Sequence, residues 1–215
     1  MPKSEFVAAL DEVQKPTTAL LKPLGFKKKG RTYNRMVGDG LVHVVNFQMG
    51  QFPIGDYVIP GLRENLYGRF AVNLGVRLPA VDLVEFDRSP PAFVHEYHCT
   101  IRDRLGGLAF GEDTWWDLDH RVVHTGSEIV RLIDKVGLPF LDQFEGYASV
   151  LATLDRTRNL PSRNEGRAAL DGALICTHLG QHERAAVFFD RADELAANHK
   201  GFKAHVAQVR RSCGL

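Results

Sequence analysis

The sequence lacks a surplus of either charge: lysine plus arginine number 27 against 26 for aspartate plus glutamate, a formal net charge of +1. That balance argues against a dedicated nucleic-acid binder, which carries a basic excess, and against an acidic disordered tail. Cysteine is scarce as well. Cys99, Cys176 and Cys213 are odd in number, far apart and without C-x-x-C spacing, so neither a disulfide framework nor a zinc ribbon is indicated and a reducing, cytoplasmic setting is expected. No apolar run approaches the roughly 18 residues of a membrane span. The opening Met1-Pro2-Lys3-Ser4-Glu5 has no signal-peptide core. Walker, G-x-G-x-x-G, G-x-S-x-G and D-x-D-x-D-G patterns are missing, so nucleotide-loop, α/β-hydrolase and calcium-loop readings lack support and no cofactor is indicated.

The chain does have 215 residues, 44% of them hydrophobic, enough for a real core in one large domain or two small ones. From Ser4 the pattern is helical, with Phe6, Leu10 and Val13 on one face. Pro16 is expected to kink or split this helix, and Gly25 to end it. A hairpin follows: Lys29 to Val37 alternates, Gly38-Asp39-Gly40 turns, and Leu41 to Met49 returns. Gln51 to Asn65 reads as a long loop of the kind that often borders a site. Leu66 to Val76 makes a third strand and Glu96 to Leu105 a fourth, with a short strand possible around Val81 to Phe86. These features predict an α+β class: an antiparallel sheet with the N-terminal helix packed on it.

From Thr114 the character is helical. Ile129, Leu132, Ile133 and Val136 recur at helical spacing, Gly137 and Pro139 are expected to stop that run, and a further helix covers roughly Pro139 to Thr157. Asn159-Leu160-Pro161-Ser162 looks like a linker, dividing a sheet domain with closing helices (1–158) from an all-helical segment (159–215). In that segment Arg163–Leu179 and Glu183–Ala197 form a helical hairpin turning at Gly180-Gln181-His182, followed by a closing helix, Phe202–Arg211. Gly180, Ala185, Phe189 and Ala192 give the hairpin a resemblance to one tetratricopeptide-type repeat, although the large aromatic usual on the first helix is absent. Stacked repeats need about three units for stability, so this one must lean on the sheet domain or on a partner.

Three pieces carry a wider likeness: Leu21-Lys22-Pro23-Leu24-Gly25-Phe26-Lys27-Lys28-Lys29-Gly30, then Val45-Asn46-Phe47-Gln48, then Phe70-Ala71-Val72-Asn73-Leu74-Gly75-Val76. With Arg102 to Leu105 and Trp115-Trp116 in the same order, the chain from about Phe6 to Leu141 resembles the 4304 family of domains of unknown function. The resemblance implies a compact α+β domain found mostly in bacteria, and it implies no activity.

Candidate sites are few. His95, His98 and Cys99 form H-x-x-H-C, and His120 and His124 lie four apart, but His95 and His98 on a regular strand face opposite ways and no H-E-x-x-H register exists. Surface or packing histidines are the expectation. Cys99 reads as a small core side chain rather than a nucleophile. Arg102 and Arg104 fall on one strand face and need an anion or an internal acid such as Glu85, Asp87, Glu112 or Asp113. Gln48 and Asn73 are strand amides that either satisfy nearby backbone or line a polar site. Of Trp115 and Trp116, at least one is expected to be buried and one to line a groove.

Gln48, Asn73, Arg102, Arg104, Trp115 and Trp116 are therefore the candidate ligand-binding residues, with no catalytic or metal set. The leading expectation is a non-catalytic binding or protein-interaction module whose partner is a protein or a small anionic ligand. The alternatives are an enzyme on a small anionic substrate, with His98 or Glu96 moving a proton, and a weak nucleic-acid contact through Lys27 to Arg31.

Overall fold

The structure, a computed structural model, describes residues 5–51, 65–86, 91–119 and 122–215. The loop expected between Gln51 and Asn65 lies almost wholly outside these residues, as do Asp87, His120 and the Glu85 side chain. Helix α1 (Glu5–Leu21) buries Leu10, Val13, Gln14, Thr17 and Leu21 and ends through a short 3-10 turn at Gly25, whose φ is 87°. It is continuous through Pro16 and does not split there. The carbonyl that Pro16 leaves without a ladder partner belongs to Glu12, an exposed residue. The proline ring faces Gly126, which has no side chain to meet it.

Six antiparallel strands follow among the described residues: β1 (Lys27–Lys29), β2 (Thr32–Met36), β3 (Val42–Met49), β4 (Arg69–Arg77), β5 (Ile101–Arg104) and β6 (Trp116–Asp117). Their order is β1-β2-β3-β4-β5, with β6 also pairing β4. The expected α+β architecture is therefore present. One face of the sheet carries Tyr33, Val45, Phe47, Val72, Leu74 and Ile101 into the core beneath α1. Tyr33 fixes that contact, sharing a 2.9 Å hydrogen bond with Thr18.

Several elements differ from expectation. Lys27–Lys29 is a strand of its own, turned back at Gly30. Val81–Phe86 belongs to a helix, α2 (Pro79–Phe86), because Pro79 is preorganised for a first helical turn and Asp82 suits its positive end. The fourth strand is shorter than expected: Glu96–His98 is a 3-10 turn, and from Leu105 the chain enters α3 (Leu105–Phe110). After α4 (Val122–Leu132), Gly137 and Pro139 do not stop the run. A π turn (Ile133–Gly137) carries it into α5 (Leu138–Asp142), whose first turn accommodates Pro139. The break comes instead before α6 (Tyr147–Thr157), where the Tyr147 N–H donates to Asp39 of the β2–β3 turn at 2.8 Å.

Helices α7 (Glu165–His178), α8 (His182–Leu195) and α9 (Lys200–Ser212) complete the chain. Ala185, Phe189 and Ala192 are fully buried. Helix α7 is buried almost all round and packs on α2, α6 and α8, so one hydrophobic cluster extends from Leu10 to Val209. Among the described residues no helix is long and apolar enough to cross a membrane.

Candidate functional site

Strand register decides which polar side chains meet. Thr32 pairs with Asn46, Asn46 with Asn73, and Asn73 with Arg104, so one row crosses four strands, and Lys29 extends it onto β1. Cross-strand partners share a face, as do residues two apart on one strand. Gln48 therefore stands beside Asn46, and Arg102 beside Arg104, on the face away from α1.

Hydrogen bonds knit this row together. Asn46 Nδ2 donates to Thr32 Oγ1 at 2.8 Å. Asn73 Nδ2 donates to Asn46 Oδ1 at 3.3 Å and to Gln48 Oε1 at 2.9 Å. Asn73 is buried and Gln48 exposed, so Asn73 is the anchor. With its oxygen engaged, exposed Gln48 keeps its amide N–H groups as donors. Each arginine has an acid of its own. Arg102 Nη1 lies 3.3 Å from Glu96 Oε1, and Arg104 Nη1 lies 2.6 Å from both Asp113 oxygens, with its guanidinium 4.9 Å from the centre of the Trp115 ring. An open groove of about 510 Å³ results, lined by Gln48, Asn73, Glu96, Arg102, Asp103, Arg104 and Ser162.

The rest of this face is roofed. The Asn34 side chain accepts from Val94 N at 2.8 Å and donates to Val94 O at 2.9 Å, as a neighbouring strand would. That docks Cys99 over Gly75, where an added Cβ would lie 2.7 Å from the sulfur. Burial pushes the Cys99 thiol well above its ordinary range, the Glu96 carboxylate adding to the effect and Arg102 opposing it, so a nucleophilic thiolate is strongly disfavoured. His98 closes the 3-10 turn and His95 caps its start, so neither is on a strand. His98 Nδ1 accepts from the His95 N–H at 3.2 Å, and the Tyr97 ring stacks on His95 at 5.3 Å. Among the described residues no three metal-ligating side chains converge.

Four of the six sequence candidates, Gln48, Asn73, Arg102 and Arg104, thus line one groove, and Trp115 braces it through Arg104. Trp116 is a correction. It pairs with Phe70 and stacks on that ring at 5.8 Å, on the core side, because adjacent residues of an extended chain face opposite ways. Asp113 was among the acids expected for the arginines, whereas Glu96, the partner of Arg102, was not. Thr32 and Ser162 were not singled out. Thr32 had a signal, its place in the β2 alternation, but Ser162 arrives from the α6–α7 connection and had none.

The sequence model of the family described as "Domain of unknown function (DUF4304)" matches residues 17–143. No curated protein and no solved structure matches the chain.

Proposed function

The chain belongs to the DUF4304 family, whose description attaches no activity, and from its own side chains we propose that it is a non-catalytic binding module whose sheet groove takes a small anionic ligand. The observation that carries this reading is the hydrogen-bonded row in which buried Asn73 holds Gln48, with two guanidinium groups on the same face. These groups are oriented before any ligand arrives, which lowers the entropic cost of binding. Glu96 and Asp113 already occupy the guanidinium groups, but exposed ion pairs contribute only about 0–1 kcal/mol, so a ligand carboxylate can displace them.

Binding is favoured over catalysis because burial keeps the Cys99 thiol from ionising and His98 Nδ1 is engaged by the His95 amide. The tail's tetratricopeptide-like spacing supports a second, protein-docking role for the outside of α8, where Val187 is exposed. The three unpaired thiols support a reducing, cytoplasmic setting, and the family likeness a bacterial one.

Titration calorimetry with acetate, succinate, citrate and phosphate tests the groove. The wild type should bind at least one of these anions. Arg102→Ala/Arg104→Ala should lose that binding while its Tm falls by less than about 4 °C, as for exposed positions in a chain of this size. Absence of binding to all four anions, or a double variant that unfolds, would sink the reading.

A further inference from the structure

A second surface lies at the outer edge of β1. Lys27, Lys28 and Lys29 are all exposed, and among the described residues the strand pairs only with β2. Gly30, with φ 59°, takes the first place of a two-residue turn to Thr32. Such a turn closes on a hydrogen-bonded pair, here Lys29 with Thr32, and alternation then sends the Lys28 N–H and C=O outwards. The same phase holds at Phe26, whose N–H goes to Leu21 O at 3.2 Å and not to β2.

Positive charge gathers at this edge in a chain whose net charge is only +1. Among the described residues no carboxylate comes within ion-pair distance of Lys22, Lys27, Lys28, Lys29 or Arg31, and the one acid that acts on Lys28 electrostatically, Asp11, lies on α1. Beneath Lys28 a cavity of about 470 Å³ opens between α1 and the sheet, with Thr18, Phe26 and Tyr33 in its wall. Phosphate backbones also seek lysines, but a single strand needs exposed rings for its bases. Tyr33 and Phe26 are 1% and 5% exposed, and half-buried Phe93 already has Lys29 over its ring at 5.8 Å, so they give no such platform. A backbone edge ready to pair, ringed by cations, suits another strand.

We propose that the β1 edge takes an acidic, extended segment of a partner protein by strand addition, with carboxylates alternating with apolar side chains. The pleat sets that alternation. The partner residue opposite Lys28 shares its face and lies over the cavity, so it is apolar. Its neighbours fall on the face of Lys27 and Lys29, so they are acidic. In an antiparallel arrangement the apolar residue exchanges both backbone hydrogen bonds with Lys28.

Fluorescence anisotropy with a labelled decapeptide of alternating glutamate and valine tests this on the full chain. The wild type should bind it, more weakly as salt is raised. Lys27→Glu/Lys29→Glu should reduce affinity by roughly tenfold or more, through two attractions lost and two repulsions gained. N-methylation of the valine amides should abolish binding, and N-methylation of the glutamate amides should spare it. Equal binding of the two methylated peptides would overturn the proposal. So would binding of an oligothymidylate in place of the peptide, or of neither. The groove variant Arg102→Ala/Arg104→Ala should bind the peptide as wild type does, so the two sites succeed or fail separately.

Discussion

Asn73→Leu keeps the approximate volume of a buried side chain and deletes one donor that serves two acceptors, Asn46 Oδ1 and Gln48 Oε1. Gln48 is exposed, so water replaces its lost partner. Asn46 is half-buried and bears part of the penalty of about 1–3 kcal/mol for a polar atom left unsatisfied. A loss of about 1–2 kcal/mol is expected, which lowers Tm by about 2–8 °C in a chain of this size. Extending the change along the row, as Thr32→Val/Asn46→Val/Asn73→Leu, removes donors and acceptors together and should return stability to within about 1 kcal/mol of wild type. Urea unfolding measures both variants, and both should lose anion binding because Gln48 has lost its anchor. If the triple variant costs as much as the sum of its single changes, the row is not a coupled network and the reasoning fails.

Three further outcomes follow from buried contacts. Burial lowers the pKa of His43, whose Nε2 is 2.8 Å from Phe144 O and whose Nδ1 is 3.0 Å from Arg35 Nη2. Between its folded value and the ordinary value near 6.5 the unfolded chain binds the extra proton, so stability is full above about pH 6.5 and falls below it. Chemical unfolding at pH 7 and 5.5 should show this slope in wild type and a flatter one in His43→Gln; equal slopes would refute it. Arg77→Leu deprives Asp82 of a guanidinium 2.5 Å away in a nearly buried pair and should cost about 3 kcal/mol, with Arg77→Leu/Asp82→Leu recovering much of it in the same assay. Gly75→Val drives a Cβ to within 2.7 Å of Cys99 Sγ and should lift the roofing segment, speeding Cys99 labelling by a thiol reagent in a Cys213→Ser background. Unchanged labelling would mean that Gly75 does not hold that segment down.

Much of the fold was legible because burial and pleat leave a periodic trace. Leu10 and Val13 in α1, and Ile129, Leu132 and Ile133 along α4 and the π turn, are all buried where helical spacing put them. The prolines were less legible. Pro16 is tolerated in α1 because the carbonyl it orphans belongs to exposed Glu12 and Gly126 receives its ring, and both facts are tertiary. Pro139 is tolerated because the π turn sets it in a fresh first turn. Lys27–Lys29 has no apolar alternation at all; only pairing with β2 makes it a strand.

The site was legible in composition and illegible in assembly, and register is the reason. Asn46, Asn73 and Arg104 are separated along the chain by two stretches that contain other polar residues, and nothing local says which pairs with which. A one-residue slip of β3 on β4 would send Asn46 and Gln48 to opposite sides of the sheet from Asn73 and dissolve the row. What prevents the slip is the buried face: Val45, Phe47, Val72 and Leu74 must all point into the core, and this apolar demand aligns the amides behind them. The tryptophans obey the same rule, since burying Trp116 against Phe70 turns Trp115 towards Arg104. The groove is thus positioned by residues that never touch it. Slip-inducing changes in the core face, such as Val72→Asp, should destroy anion binding more completely than any single substitution in the groove itself.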